Sequence, residues 1–146
     1  MQSKNTFGPH EVIFKEGQSA DKMFLVKSGK VACFKGSKDR LIPVFVAKSE
    51  DVLGESAMLK KSVYGYSAIT LTDVQLVEIP SENFQKVLED APDWLVDLTS
   101  TMINRFETTA NLIADNRLIH SSIIDEEDFS SPIEVEFKNL LVNKTE

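Results

Sequence analysis

The residues with most chemistry to offer lie between positions 54 and 65 of this 146-residue chain. Gly54-Glu55-Ser56-Ala57-Met58-Leu59 reads as a turn opening a short helix. Glycine permits close backbone approach, and the free N–H groups of a first helical turn favour an anion. Ser56 and Ala57 are small enough to leave room for one. Glu55 offers acceptors only and suits a ligand hydroxyl, although an acid there is equally served by the helix dipole. Lys60 and Lys61 follow as candidate phosphate charges, or as a solvated pair. Tyr64 and Gly65 close the segment.

Catalytic and metal chemistry find little support. His10 and His120 are far apart, and no Cys/His cluster, Walker-type loop or nucleophile elbow occurs. Asp125-Glu126-Glu127-Asp128 lacks the glycine turn and terminal glutamate of a calcium loop, so it reads as a solvated acidic loop. No enzyme, metal or required cofactor is expected. Cys33, the single cysteine, reads as a small buried strand residue in a reducing cytoplasm.

The elements that must position this segment are short strands. From Glu11 to Ile79, apolar runs such as Val12-Ile13-Phe14, Met23-Phe24-Leu25-Val26 and Val31-Ala32-Cys33-Phe34 end in turns rich in Gly, Ser and Lys, a compact all-β pattern. At Pro80 the period changes. Ser81 reads as the N-cap of a short helix through Phe84, Val87 and Leu88, and a longer helix is expected from about Pro92 to about His120. Its apolar stripe exceeds what so small a β-unit can cover. Leu95, Met102, Phe106 and Ile113 therefore make a candidate seam for a homodimer.

Three blocks in order carry a resemblance: Phe7-Gly8-Pro9-His10-Glu11-Val12-Ile13-Phe14-Lys15-Glu16-Gly17, Met23-Phe24-Leu25-Val26-Lys27-Ser28-Gly29-Lys30-Val31, and Leu53-Gly54-Glu55-Ser56-Ala57-Met58-Leu59. Over residues 7 to about 120 the chain resembles the cyclic-nucleotide-binding domain family, which includes the catabolite activator protein and the regulatory subunits of cyclic-AMP-dependent protein kinase. The resemblance implies a mainly β fold, a double-stranded β-helix or jelly-roll-like β-roll, followed by a long C-terminal helix. It implies a nucleotide site at Gly54, Glu55, Ser56, Ala57, Tyr64 and Gly65, with Glu55 accepting from the ribose 2′-hydroxyl. Thr109 stands where the catabolite activator branch places a hydroxyl against the base; a threonine packed at a helix seam is the alternative.

The sequence departs from that pattern at two points. Ten residues after Gly54 the family usually carries an arginine that pairs with the cyclic phosphate; here Tyr64 stands there. Loss of a charge-assisted hydrogen bond of about 1.5–3 kcal/mol weakens binding roughly 10- to 150-fold. Glu50 replaces a usual glycine and suggests an altered approach turn with added negative potential. The expectation is a regulatory module with weakened or lost nucleotide affinity that acts through a protein partner. The alternative is a working cyclic AMP or cyclic GMP sensor with a non-standard phosphate contact. A more distant one is the sensor fragment of a larger transcription factor or signalling enzyme.

Composition narrows the partners. The chain is 42% hydrophobic and 27% charged with net charge −7, which fits one globular domain and disfavours DNA. No apolar run suffices to span a bilayer and no signal sequence is evident, so a cytoplasmic protein without membrane insertion is expected. Residues 121–146 carry seven acids against two lysines. They form an acidic tail to a domain spanning 1–120. In it Ile133, Val135 and Phe137 alternate with Glu134 and Glu136 as in a strand, expected to add to a sheet edge or cross the dimer helices, with a flexible linker as the alternative.

Overall fold

The computed structural model describes residues 3–60 and 62–143. Among these, eight strands form two four-stranded sheets. β1 (Ser3–Phe7), β8 (Val74–Pro80), β3 (Lys22–Ser28) and β6 (Val52–Leu53) make the first, in that spatial order. β2 (Val12–Phe14), β7 (Ser67–Thr70), β4 (Val31–Ser37) and β5 (Arg40–Ala47) make the second. All neighbouring pairs are antiparallel. This is the expected β-roll, with the N-terminal segment drawn in as a strand on β8.

Between the sheets lies a core that includes Phe14, Phe24, Val26, Val31, Cys33, Leu53, Tyr64, Tyr66 and Leu76. Side chains along a strand alternate between faces, so Val31 and Cys33 enter this core while Ala32 and Phe34 face the other way. All four are buried nonetheless. The unbroken apolar run of β4 thus reflects a strand covered on both faces. Pro43, which cannot donate to a ladder, sits on the edge strand β5. Gly29, at φ 94°, turns β3 into β4, and a Cβ there would lie 2.2 Å from the Asp73 carbonyl oxygen.

Four helices complete the described chain: α1 (Glu55–Lys60), α2 (Ser81–Asp90), α3 (Asp93–Asp115) and α4 (Ser131–Asn143). Ser81 is not the N-cap of α2. Pro80 holds that position with extended backbone and no side-chain cap, and the Ser81 N–H donates to the Asp21 carbonyl at 2.9 Å. α3 stops at Asp115, short of His120. Arg117 adopts a left-handed φ of 51°, and the Leu118 N–H reaches back to the Ile113 carbonyl at 3.0 Å, closing the helix as a Schellman motif. Among the described residues no helix is long and apolar enough to cross a membrane.

The expected strand at 132–142 is instead helix α4. Pro132 is tolerated in its first turn, and Ile133, Phe137, Leu140 and Leu141 fall at helical spacing. These four pack on the outer face of β4 and β7, with Ile124 and Phe129 from the preceding loop. Val135, the middle residue of the apparent alternation, is exposed. The docking uses the same chain's sheet face rather than its edge.

Polar contacts fix α4 in register. Arg40 donates through Nε and Nη2 to the Glu134 carboxylate at 2.9 and 3.3 Å, and the Leu41 N–H donates to it at 3.0 Å. Burial alone would raise the Glu134 carboxyl, but the Arg40 and Leu41 hydrogen bonds hold it below its ordinary range. Lys138 donates to the Asp39 carbonyl at 2.7 Å, and His10 meets Glu136 at 2.9 Å.

Candidate functional site

The β6–α1 turn depends on Gly54, whose φ is 81°. Its N–H donates to the Tyr66 hydroxyl at 2.9 Å, and that hydroxyl lies 3.4 Å from Glu55 Oε1. Tyr66 therefore ties the turn to the acid that follows. Burial pushes the Tyr66 phenol well up, so it remains a neutral hydrogen-bonding group. Ser56, Ala57 and Met58 of α1 are buried.

Glu55 faces a cavity of about 470 Å³ that it lines with Phe45, Asp51, Val52, Met102, Ile103 and Phe106. The strands supply one wall and α3 the other. Burial raises the Glu55 carboxyl above its ordinary range; its own N–H and the Tyr66 hydroxyl oppose this, and the charge of Glu107 adds to it. Phe45 meets Phe106 edge to face with ring centroids 5.2 Å apart. Phe45 and Val52 carry no sequence signal as site residues, since their placement depends on the sheet curling toward α3.

Tyr64 stands in the core rather than on the cavity lining. It is buried, its ring stacks on Phe14 at 4.0 Å, and its hydroxyl donates to the Lys22 carbonyl at 2.7 Å. A Cβ placed on Gly54 would lie 3.0 Å from Tyr64 Cε1, so the ring closes over the glycine. Burial raises the phenol well above its ordinary range. The backbone of Tyr64 is paired as well, accepting from the Gly17 N–H at 2.8 Å and donating to the Gln18 carbonyl at 3.0 Å.

Two of the nearby cations are engaged elsewhere. Lys60 pairs with Glu107 and so ties α1 to α3. Lys61 lies outside the described residues. Lys35 reaches the Gly65 carbonyl and lies 3.7 Å from Glu16. The cavity lining holds no cationic side chain among the described residues.

On α3, Thr109 is exposed and lines a separate surface depression with Thr101, Asn104, Arg105 and Thr108 rather than the Glu55 cavity. The seam residues divide. Leu95 and Met102 are exposed, whereas Phe106 and Ile113 pack against the β-roll core. Glu50 has φ 79°, the left-handed region glycine enters freely, and its N–H donates to the Val26 carbonyl at 2.8 Å. It does not line the cavity; its neighbour Asp51 does.

Cys33 is fully buried and its thiol is pushed up by desolvation, which makes it a poor nucleophile. No group of three or more His, Cys, Asp or Glu able to hold a metal occurs among the described residues. Asp128 of the acidic loop pairs with Lys30 at 3.3 Å.

Comparison with known proteins gives consistent matches. The family model described as cyclic nucleotide-binding domain matches residues 4–91. A cAMP-dependent protein kinase regulatory subunit of Hypocrea atroviridis is 33% identical over 82 residues, 56% of this chain and 17% of that protein. A CRP-like cAMP-activated global transcriptional regulator of Mycobacterium tuberculosis is 26% identical over 104 residues, 70% of this chain and 46% of that protein. This chain thus spans less than half the length of either relative. Among solved structures, the EAL enzyme Bd1971 in its cAMP and cyclic-di-GMP bound form superposes with TM-score 0.70 at 19% identity, covering 94% of this chain and 35% of the other.

Proposed function

Because the chain belongs to the cyclic nucleotide-binding domain family, we propose that it is a non-enzymatic regulatory module whose nucleotide site has kept its shape and lost most of its anion affinity, and that it acts through protein contacts. The observation that carries this reading is the Tyr64 side chain. At the position of the family's phosphate-binding arginine it is stacked on Phe14 and bonded to the Lys22 carbonyl. It therefore brings no positive charge and offers no free donor to a phosphate. Asp51 and Glu55 on the cavity wall disfavour an anion further.

In this reading residues 1–120 are the ligand-binding-type unit and 121–146 its tail, docked through α4. The exposed stripe on α3 pairs with a second copy or a partner helix. Isothermal titration with cyclic AMP and with cyclic GMP is the direct test, with no heat or only weak binding expected. Submicromolar affinity for either overturns the proposal.

A second reading, a working cyclic-nucleotide sensor, has one observation in its favour. The turn at Gly54 retains its left-handed conformation and Glu55 stands at the cavity, as a ribose contact requires. The same titration separates the two.

A further inference from the structure

The Glu55 cavity combines an apolar wall with two carboxylates. Its walls are aromatic and aliphatic: Phe45 from β5, Val52 from β6, and Met102, Ile103 and Phe106 from α3. Among the described residues its only ionisable lining groups are Asp51 and Glu55. One oxygen of Asp51 accepts the Lys48 backbone N–H at 2.8 Å, which fixes the carboxylate in place. Glu55 is met by its own backbone N–H and, at 3.4 Å, by the Tyr66 hydroxyl, with no cation beside it in the cavity lining among the described residues. Behind it, Glu107 adds a third negative charge, already matched by Lys60.

From this juxtaposition we infer that the cavity binds a small aromatic monocation of the arylalkylamine class, its ring against the apolar wall of Val52, Met102 and the Phe45–Phe106 pair and its ammonium at Glu55 and Asp51. The inference rests on the reading that the site has lost anion affinity. Two physical preferences coincide there. An ammonium leaving water for a partly buried site needs a carboxylate partner, and aromatic faces add cation–π attraction. An apolar cavity with a few convergent polar groups is the usual form of a small-molecule site. Desolvation of the Glu55 carboxyl works in the same direction, since an incoming cation restores the ionised state that burial penalises. A carboxylate or phosphate ligand would meet two like charges and no counterion.

The probes are phenethylamine and its anionic counterpart 3-phenylpropanoate, titrated into full-length protein labelled at methionine and isoleucine methyls. Saturable shifts at Met102 and Ile103 with the amine alone are expected, and Glu55→Gln should weaken them at least tenfold. If Glu55→Gln loses the folded spectrum, Asp51→Asn carries the charge test, with a weakening of at least threefold expected. Equal response to both probes, response to neither, or an amine affinity unchanged by the charge-removing variant overturns the inference. Parallel cyclic AMP titration keeps the two readings apart. Tight cyclic AMP binding sinks the reading of lost anion affinity, whereas failure of the amine without cyclic AMP binding sinks only the cation site.

Discussion

Tyr64 and Phe14 lie nearly parallel, ring centroids 4.0 Å apart and planes 14° from each other, inside the core between the two sheets. The pair belongs to that core and not to the cavity lining. Two substitutions separate its components. Tyr64→Phe keeps the stack and removes only the hydrogen bond to the Lys22 carbonyl, so it should cost about 1 kcal/mol in urea denaturation. Tyr64→Arg removes the ring and should destabilise the free protein by about 3 kcal/mol, in the range of large aromatic truncations. It should also restore a cyclic-AMP-dependent rise in Tm, because a ligand that binds only the folded state stabilises it by mass action. If the Tyr64→Arg protein stays indifferent to cyclic AMP, more than the missing charge has been lost.

Glu50 should be a site of stored strain. Its φ of 79° places a side-chain-bearing residue where glycine is at ease. Glu50→Gly relieves the clash but gives the unfolded chain more freedom, and these effects oppose one another. The net expectation is a stabilisation of about 0.5–1 kcal/mol, read from the urea midpoint. Glu50→Ala keeps the Cβ and should give no such gain; equal effects of the two variants would place the cause in charge rather than backbone.

The order of turns made the β-roll legible, because Gly17, Gly29 and Gly54 mark where the chain must reverse, and all three have positive φ. The cassette at 54–65 was legible as a segment. What its side chains do was not: Tyr64 faces inward because Phe14, fifty residues earlier, offers it a ring to stack on. Thr109 sits at a helical spacing compatible with the stripe of Met102 and Phe106, yet it lies off the cavity. The tail misled for a different reason. Ile133, Val135 and Phe137 satisfy a period of two, while Ile133, Phe137, Leu140 and Leu141 satisfy the helical period; only the second agrees with Pro132. The solid apolar run Val31 to Phe34 was the signal that another element had to cover the outer sheet face.

Docking of α4 should depend on pH through Glu134. Its folded-state pKa is held below the ordinary carboxylate value, despite burial, by Arg40 and the Leu41 N–H. A depressed carboxylate contributes stability that is fully present above its unfolded pKa, about 4.3 for glutamate, and is lost as pH falls through the lower folded value. Amide exchange across Ile133 to Leu141 should therefore be well protected at neutral pH and lose protection in acid. Glu134→Gln should be less protected at neutral pH and show a flatter acid response. Glu134→Ala, which leaves the buried Leu41 N–H without its acceptor, should cost about 1–3 kcal/mol. Unprotected exchange of these amides at neutral pH would reject the docked helix.

A homodimer should form through a partly different set of α3 residues from the seam expected at Leu95, Met102, Phe106 and Ile113. Phe106 and Ile113 belong to the core of their own chain, so their truncation should lower folding stability in the monomer. The residues available to a partner are Trp94, Leu98 and Met102, which are 66%, 48% and 60% exposed and recur every fourth position along α3. Burying side chains of this kind stabilises by about 1.5–3 kcal/mol each, doubled by symmetry, against an association cost of about 4–15 kcal/mol. With burial in the upper part of its range and the association cost in the lower part of its own, the surplus is about 8 kcal/mol, a dimer in the micromolar range. Trp94 is the chain's single tryptophan, so its emission should move to shorter wavelength as protein concentration rises through dimerisation. Met102→Glu places like charges against each other across the seam and should abolish both the shift and the dimer mass in light scattering. Wild-type protein that stays at 16.3 kDa through the micromolar range, with Trp94 emission constant, would reject the dimer and leave the α3 stripe to another partner.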